Sequence, residues 1–92
     1  MTKEEIVQYD LKYRYMLLSR MQADCEYYLG YGCRNRKRLW AGDENRQIEY
    51  MLWIYDSFTE NEKPVWLTRE QIMEYAEEMQ VSIGEEPVVQ TA

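Results

Sequence analysis

Residues 24–43 read DCEYYLGYGCRNRKRLWAGD, and the fold turns on how this stretch is read. It holds both cysteines, three of the four glycines and four cations, Arg34, Arg36, Lys37 and Arg38. Runs with helical periodicity lie on either side, so it reads as the connection between two helices. Gly30 stands where a left-handed C-cap residue ends the first. Asp43, following Gly42, has the form of an N-cap that opens the second. The expected class is therefore all-α, with a Gly/Arg-rich ordered loop over 30–42.

Upstream, Thr2-Lys3-Glu4-Glu5 has the pattern of a capping box. No Gly or Pro intervenes between it and Leu29, which predicts one helix over 3–29, roughly 27 residues and ~40 Å long. At 100° per residue, Ile6, Tyr13, Leu17, Met21 and Tyr28 share a stripe. Tyr9, Met16 and Tyr27 flank it on one side, and Leu11, Leu18, Cys25 and Leu29 on the other. So broad an apolar arc predicts packing from two directions, with this helix as the spine of the fold. Asp24 falls among these apolar positions, where an unpaired carboxylate would cost several kcal/mol. The expectation is a clasp in which Asp24 holds the loop through backbone N–H groups, Arg20 or the Trp40 indole. A general acid or base at Asp24 has no companion histidine or second central carboxylate.

Downstream, a second helix is expected over 44–58, with Ile48, Met51, Tyr55 and Phe58 inward and Ile54 and Leu52 at the edges. Trp53 points the other way, among Arg46, Glu49 and Asp56. Two readings stand for it: a binding hot spot, or a cover laid over the Arg46 stem or beneath the tail. After a polar linker over 59–64, Thr68 with Gln71 forms a second capping box, and Leu67 with Ile72 a hydrophobic staple. These open a third helix over 69–80 that buries Ile72, Tyr75, Ala76 and Met79 and exposes Glu70, Glu74, Glu77 and Glu78. Pro64 and Trp66 are expected to cross the core before it begins. The prediction is a single three-helix domain over 1–80, two shorter helices on the flanks of the first, and a flexible tail over 81–92.

Ninety-two residues give one domain with one modest core. Hydrophobic content of 46% excludes wholesale disorder, and no apolar run is long enough to span a bilayer. The N-terminus has no signal-peptide pattern, and two cysteines without one fit a reducing cytosol and oppose a disulfide. The formal charge of −6 is uneven. Residues 1–42 carry eight Lys/Arg against five Asp/Glu, and residues 43–92 carry three against twelve. Net acidity works against general nucleic-acid affinity and favours a basic protein surface as partner. With no histidine, no activated Ser or Cys constellation and no set of metal ligands, neither an enzyme nor a cofactor is expected. One residual nucleophile is Cys33, beside the loop cations.

Two candidate surfaces emerge. The first is acidic and aromatic: Tyr50, Trp53, Glu70, Glu74, Glu77 and Glu78. The second is the loop, where Tyr31 and Trp40 offer stacking platforms beside Arg34, Arg36, Lys37 and Arg38 for a phosphate or nucleic acid. The loop glycines do not match a P-loop. A solvated loop that complements the helix C-terminus and the acidic half is the favoured reading of those cations.

Three pieces, YMLLSRMQADCEYYLG, KRLWAGDENRQIEYM and ENEKPVWLTREQI, together resemble a bacterial domain family, large polyvalent protein-associated domain 11, over about Tyr13 to Met79. Its most specific elements here are Asp24-Cys25, Tyr28-Leu29-Gly30, Leu39-Trp40-Ala41-Gly42 and the lead-in from Lys63 to Thr68. The resemblance implies a setting in phages, plasmids and conjugative elements, and carries no catalytic residues. Two departures add apolar surface: Tyr31-Gly32-Cys33 replaces a polar turn, and Leu52 and Trp53 stand at usually polar positions. Such changes fit a protein partner or self-association as a homodimer. Read as a free-standing copy of a domain usually found beside others, the chain is expected to act by binding and blocking. The expectation is a cytoplasmic, non-enzymatic interaction protein of a mobile element, directed at a host protein. An anti-defence inhibitor of the anti-CRISPR type is the leading form, and a nucleic-acid-binding accessory domain the alternative.

Overall fold

The computed structural model describes residues 2–30, 34, 35, 37 and 39–81. It is all-α, with four helices: α1 (Lys3–Gln8), α2 (Leu11–Leu29), α3 (Glu44–Ser57) and α4 (Arg69–Glu78). The expected tail from residue 82 onward lies outside the described residues, as do Tyr31–Cys33, Arg36 and Arg38 within the expected ordered loop.

The predicted single helix over 3–29 is two helices. Thr2 and Glu5 form their capping box at the start of α1, but Tyr9 and Asp10 are extended, with ψ of 147° and 163°. The cause is Asp10. Its carboxylate accepts the Tyr13 N–H at 2.8 Å, so it acts as an N-cap, where Asp is favoured, and not as a helix-interior residue, where it is not. Arg14 then fixes the corner: its guanidinium donates to the Tyr9 carbonyl at 3.0 Å and to the Ser57 hydroxyl at 2.8 Å. The break lets α1 fold back so that Ile6 is fully buried and α1 packs on α3.

Nor is the first long helix the spine. α3 packs against α1, α2 and α4, and buries Gln47, Ile48, Tyr50, Met51, Leu52, Ile54 and Tyr55 around more than half its circumference. Leu52, expected at an edge where it would add surface, is in the core. α2 buries one side, Leu17, Leu18, Met21, Cys25 and Tyr28. Its opposite side is open, with Tyr13, Met16 and Tyr27 exposed.

Among the described residues, buried polarity is handled by one side chain. Gln47 is wholly inaccessible, accepts the Ala41 N–H at 3.0 Å and donates to the Met21 carbonyl at 3.2 Å. An amide there without partners would cost ~1–3 kcal/mol; bonded, it pins the loop and α2 to the start of α3. Gly42, at φ 76°, supplies the left-handed turn that leads into the Asp43 cap, whose carboxylate accepts the Arg46 N–H at 3.0 Å. Gly30 caps α2 at φ −105°, ψ −98°, not in the left-handed region the sequence pattern implied.

The α3–α4 connection is held by Lys63, whose ammonium donates to the Tyr55 and Phe58 carbonyls at 3.4 and 3.3 Å and lies 4.7 Å from the Tyr55 ring centroid. A cation there also complements the C-terminal end of the α3 dipole. Trp66 does not cross the core: it is 42% exposed, Val65 beside it is 95% exposed, and Leu67 alone turns fully inward. Leu67 and Ile72, both at 0% exposure, form the staple at the Thr68 capping box. α4 ends at Glu78, and Gln80 turns left-handed at φ 62°, so that the Val81 N–H bonds the Ala76 carbonyl at 2.8 Å. Val81 packs on the core.

Candidate functional site

The clasp is built where α2, the loop and α3 meet. Asp24 sits on the edge of the buried side of α2, its side chain 14% exposed. One carboxylate oxygen accepts the Trp40 backbone N–H at 2.8 Å; the other is 3.7 Å from the Arg20 guanidinium, one turn back. The Trp40 ring then meets Tyr50 edge-on at 6.2 Å, and Tyr50 meets Trp53 at 5.5 Å. Arg46 hydrogen-bonds Tyr50, and that bond raises the guanidinium pKa further. Tyr50 and Trp53 are thus joined to Trp40 and the clasp in one aromatic ladder. Tyr50 is buried, which removes most of it from any contact surface, and Trp53 is half-buried.

The glutamates lie elsewhere. Glu70, Glu74, Glu77 and Glu78 all face solvent on the side of α4 away from Ile72 and Ala76. Among the described residues none of the four makes an ion pair. Tyr75, on the flank of α4, donates to Glu26 at 2.9 Å and receives Gln22 at 3.5 Å, tying α4 to α2. Burial, with Glu26 adding to it, pushes the Tyr75 hydroxyl up to about 12.

Of the basic loop, Tyr31, Arg36 and Arg38 lie outside the described residues. Lys37 is exposed, and its N–H bonds the Asn35 side chain at 3.0 Å. Arg34 has a structural task. At φ 59° its N–H bonds the Tyr28 carbonyl at 2.9 Å, its guanidinium donates to the Glu78 carbonyl at 3.0 Å, and it covers the Tyr28 ring at 6.0 Å. It thereby fills the role of a cation at the C-terminus of α4. A cleft of about 330 Å³ opens beside it, lined by Tyr28, Arg34, Asp43, Glu44, Asn45, Met79 and Gln80. Tyr28 donates to Glu44 across it at 2.5 Å; burial, then that carboxylate, raises the Tyr28 pKa.

Chemically, these groups bind and fasten. Cys25 is a free, buried thiol pushed up to about 12 by burial and then by the Asp24 charge, so at neutral pH it is protonated and a poor nucleophile. Cys33 lies outside the described residues. Among the described residues no group of three His, Cys, Asp or Glu side chains is placed to hold a metal ion, and no helix is long and apolar enough to cross a membrane.

The sequence reading missed Gln47, which carried a signal: it falls one turn before Met51 and next to Ile48, on the buried arc. For Arg34 it favoured a cation that complements a helix C-terminus and the acidic half, but did not identify its partners, Tyr28 and the Glu78 carbonyl, which follow from a left-handed backbone that no local pattern marks.

No curated protein and no solved structure matches the chain significantly. A family model does, over residues 11–79, from the start of α2 to the C-cap of α4. That span holds the clasp, the ladder, the α4 glutamates and all of the cleft lining but Gln80, and it assigns the chain to its family: the protein belongs to large polyvalent protein-associated domain 11.

Proposed function

We propose that this is a non-enzymatic interaction protein that binds a basic surface of a partner protein through the outer face of α4. The observation that carries it is the placement of Glu74, Glu77 and Glu78. Helix C-termini carry partial negative charge, so carboxylates in the last turns are unfavourable; the last turn of α4 holds no basic residue of its own. Glu70–Glu74 and Glu74–Glu78 are also like-charge pairs at i,i+4, and Glu74–Glu77 at i,i+3, each destabilising by ~0.2–0.5 kcal/mol. A face arranged against the stability of its own helix is relieved when a cationic surface docks on it. Docking there orders few flexible groups on this side, because α4 is already anchored by Arg69–Asp56 at 3.1 Å and by Tyr75.

The mobile-element setting that the family resemblance implies makes a host protein the target. Within that class, an RNA-guided defence effector fits the charge: its guide–target heteroduplex lies in a positively charged channel, which a row of carboxylates complements. An anti-defence inhibitor of the anti-CRISPR type is the specific form proposed. The aromatic ladder contributes at most its ends, the exposed Trp40 and the half-buried Trp53. The nucleic-acid alternative has less support, since Arg34 is committed to Glu78 and Tyr28.

The test combines binding and inhibition. Purified protein is titrated into a guide-loaded effector from the host, with and without target DNA, at roughly 50 and 300 mM salt. Binding that competes with DNA, weakens with salt and disappears in Glu74→Lys/Glu77→Lys is expected. Binding unchanged by the double substitution would overturn the α4 surface. Absence of binding, together with undiminished interference in cells expressing the protein, would overturn the target class.

A further inference from the structure

The side of α2 that faces away from α3 carries a second seam. Tyr13, Met16, Arg20, Ala23 and Tyr27 follow one another at intervals of three, four, three and four. This is the a/d spacing by which one helix packs along another. Met16 is 58% exposed, Tyr13 38%, and Arg20 and Ala23 are exposed as well. Tyr9 stacks edge-on against Tyr13 at 4.9 Å, which stiffens that end of the row. From Tyr13 to Tyr27 the row runs ~21 Å.

Two properties select the occupant. The first is symmetry. From Tyr13 to Ala23 the intervals read the same in both directions about Leu18, so an antiparallel copy sets Tyr13 opposite Ala23 and Met16 opposite the Arg20 stem. A ring against a methyl and a thioether against an aliphatic stem are well-matched volumes. The second is charge. Along the exposed side of α2, Lys12 stands near the N-terminal end and Glu26 near the C-terminal end, while Arg20 faces Asp24 on the edge of the buried side. This face is locally neutral, unlike the rest of an acidic chain, and its signs are segregated along the axis. A uniformly basic partner satisfies one half and opposes the other. A two-fold axis across the helix brings like flanks together, and so sets Lys12 beside Glu26 of the second copy at each end. Tyr75 already holds Glu26 in place.

We propose that the outer face of α2 pairs two copies of this chain, antiparallel, about a two-fold axis near Leu18. The assembly leaves α4 of each copy outward, so it neither requires nor excludes the binding role of the glutamates.

Sedimentation velocity on the full chain from about 5 to about 500 μM tests this, since dimerisation follows mass action. Wild type is expected to shift from monomer to dimer across that range. Met16→Glu puts an unpaired charge into the seam, and is expected to weaken the dimer at least about tenfold, with far-UV circular dichroism unchanged and melting unchanged at about 5 μM, where both proteins are monomers. Lys12→Glu and Glu26→Lys each weaken it, and the two together restore it, because each contact is then inverted and not lost. A wild type monomeric throughout, a dimer indifferent to Met16→Glu, or a double swap that fails to restore association would each overturn the proposal. So would a monomer that dimerises only after removal of residues 82–92, which would assign the face to the chain's own C-terminal segment.

Discussion

α2 is the longer helix and α3 the more buried one. α2 has nineteen residues and buries five of them; α3 has fourteen and buries seven, including a glutamine. Both have broad apolar arcs, so arc width does not explain the difference. What differs is the number of neighbours. α3 lies between α1, α4 and α2, whereas the main neighbour of α2 is α3, with Tyr75 reaching it from α4. An apolar arc measures what a helix can bury, and the topology decides how much of it is used. Tyrosine and methionine make the ambiguity worse, because each tolerates a half-wet position.

The sharpest way to break this comparison is one residue type placed in both helices. Met51 of α3 is at 0% exposure and Met16 of α2 at 58%. Met51→Ala is expected to cost ~3 kcal/mol, through lost transfer energy and the cavity left among Cys25, Ile48 and Tyr55. Met16→Ala is expected to stay within ~0.5 kcal/mol, as exposed substitutions do. Urea unfolding at low protein concentration, where α2 is unpaired, gives both values. Comparable costs would mean that α2 is as central as α3.

Alkali probes the seam between the two helices. Cys25 approaches Met51 with Sγ–Sδ at 3.6 Å. Its pKa is raised from 9.0 to about 12 by burial, then by the Asp24 charge. Tyr28, beside Glu44, and Tyr75, beside Glu26, are also raised, the latter to about 12. For an acid whose folded pKa exceeds its unfolded one, the native state binds more protons. Stability is then complete below the unfolded value and is lost as pH climbs towards the folded one. The urea midpoint should therefore be level up to about pH 9 and fall steadily towards about pH 12. Cys25→Ala should delay the onset of that fall, at the cost of a small cavity. A midpoint that stays flat through this range would show that the α2–α3 seam is wet.

Asp10 is where the sequence reading and the structure part, and also where they are most easily reconciled. The absence of Gly and Pro argued for continuity across residues 8–11, and the capping signals at Thr2, Asp43 and Thr68 were legible because each precedes a polar-to-apolar transition. Asp10 has the same chemistry, but sits inside an apolar run and is visible as a cap only once Arg14 and Ser57 fix the corner. The helical class, three of the four N-caps and most of the core followed from local patterns. The central role of α3, the partners of Arg34 and the exposed Trp66 followed from three-dimensional neighbours that no local window contains. At the candidate surfaces, α4's outward glutamates were legible from period alone, whereas the burial of Tyr50 was not. Asp10→Ala removes the cap acceptor for Tyr13 and should cost ~1 kcal/mol. Hydrogen exchange should show the loss concentrated at the start of α2. A variant more helical than wild type across residues 8–11 would mean that the cap alone, and not the Arg14 corner, keeps α1 and α2 apart.

The smallest effect expected separates the inner and outer halves of α4. Ile72 and Ala76 hold it to the core, while Glu77 and Glu78 face solvent at the end of the helix where negative charge is least welcome. Replacing both by lysine reverses two unfavourable dipole interactions and turns the Glu74–Glu77 and Glu74–Glu78 repulsions into attractions. Stability should rise by about 0.5–1 kcal/mol, or a few degrees in Tm for a domain of this size. The salt dependence of unfolding should weaken with it. The Arg34 bond to the Glu78 main-chain carbonyl uses no side-chain atom of residue 78 and should survive. A gain in stability that accompanies a loss of partner binding is the signature of residues retained for recognition against the interest of the fold. A loss of stability would instead assign Glu77 and Glu78 to the native scaffold and remove the argument for α4 as the contact face.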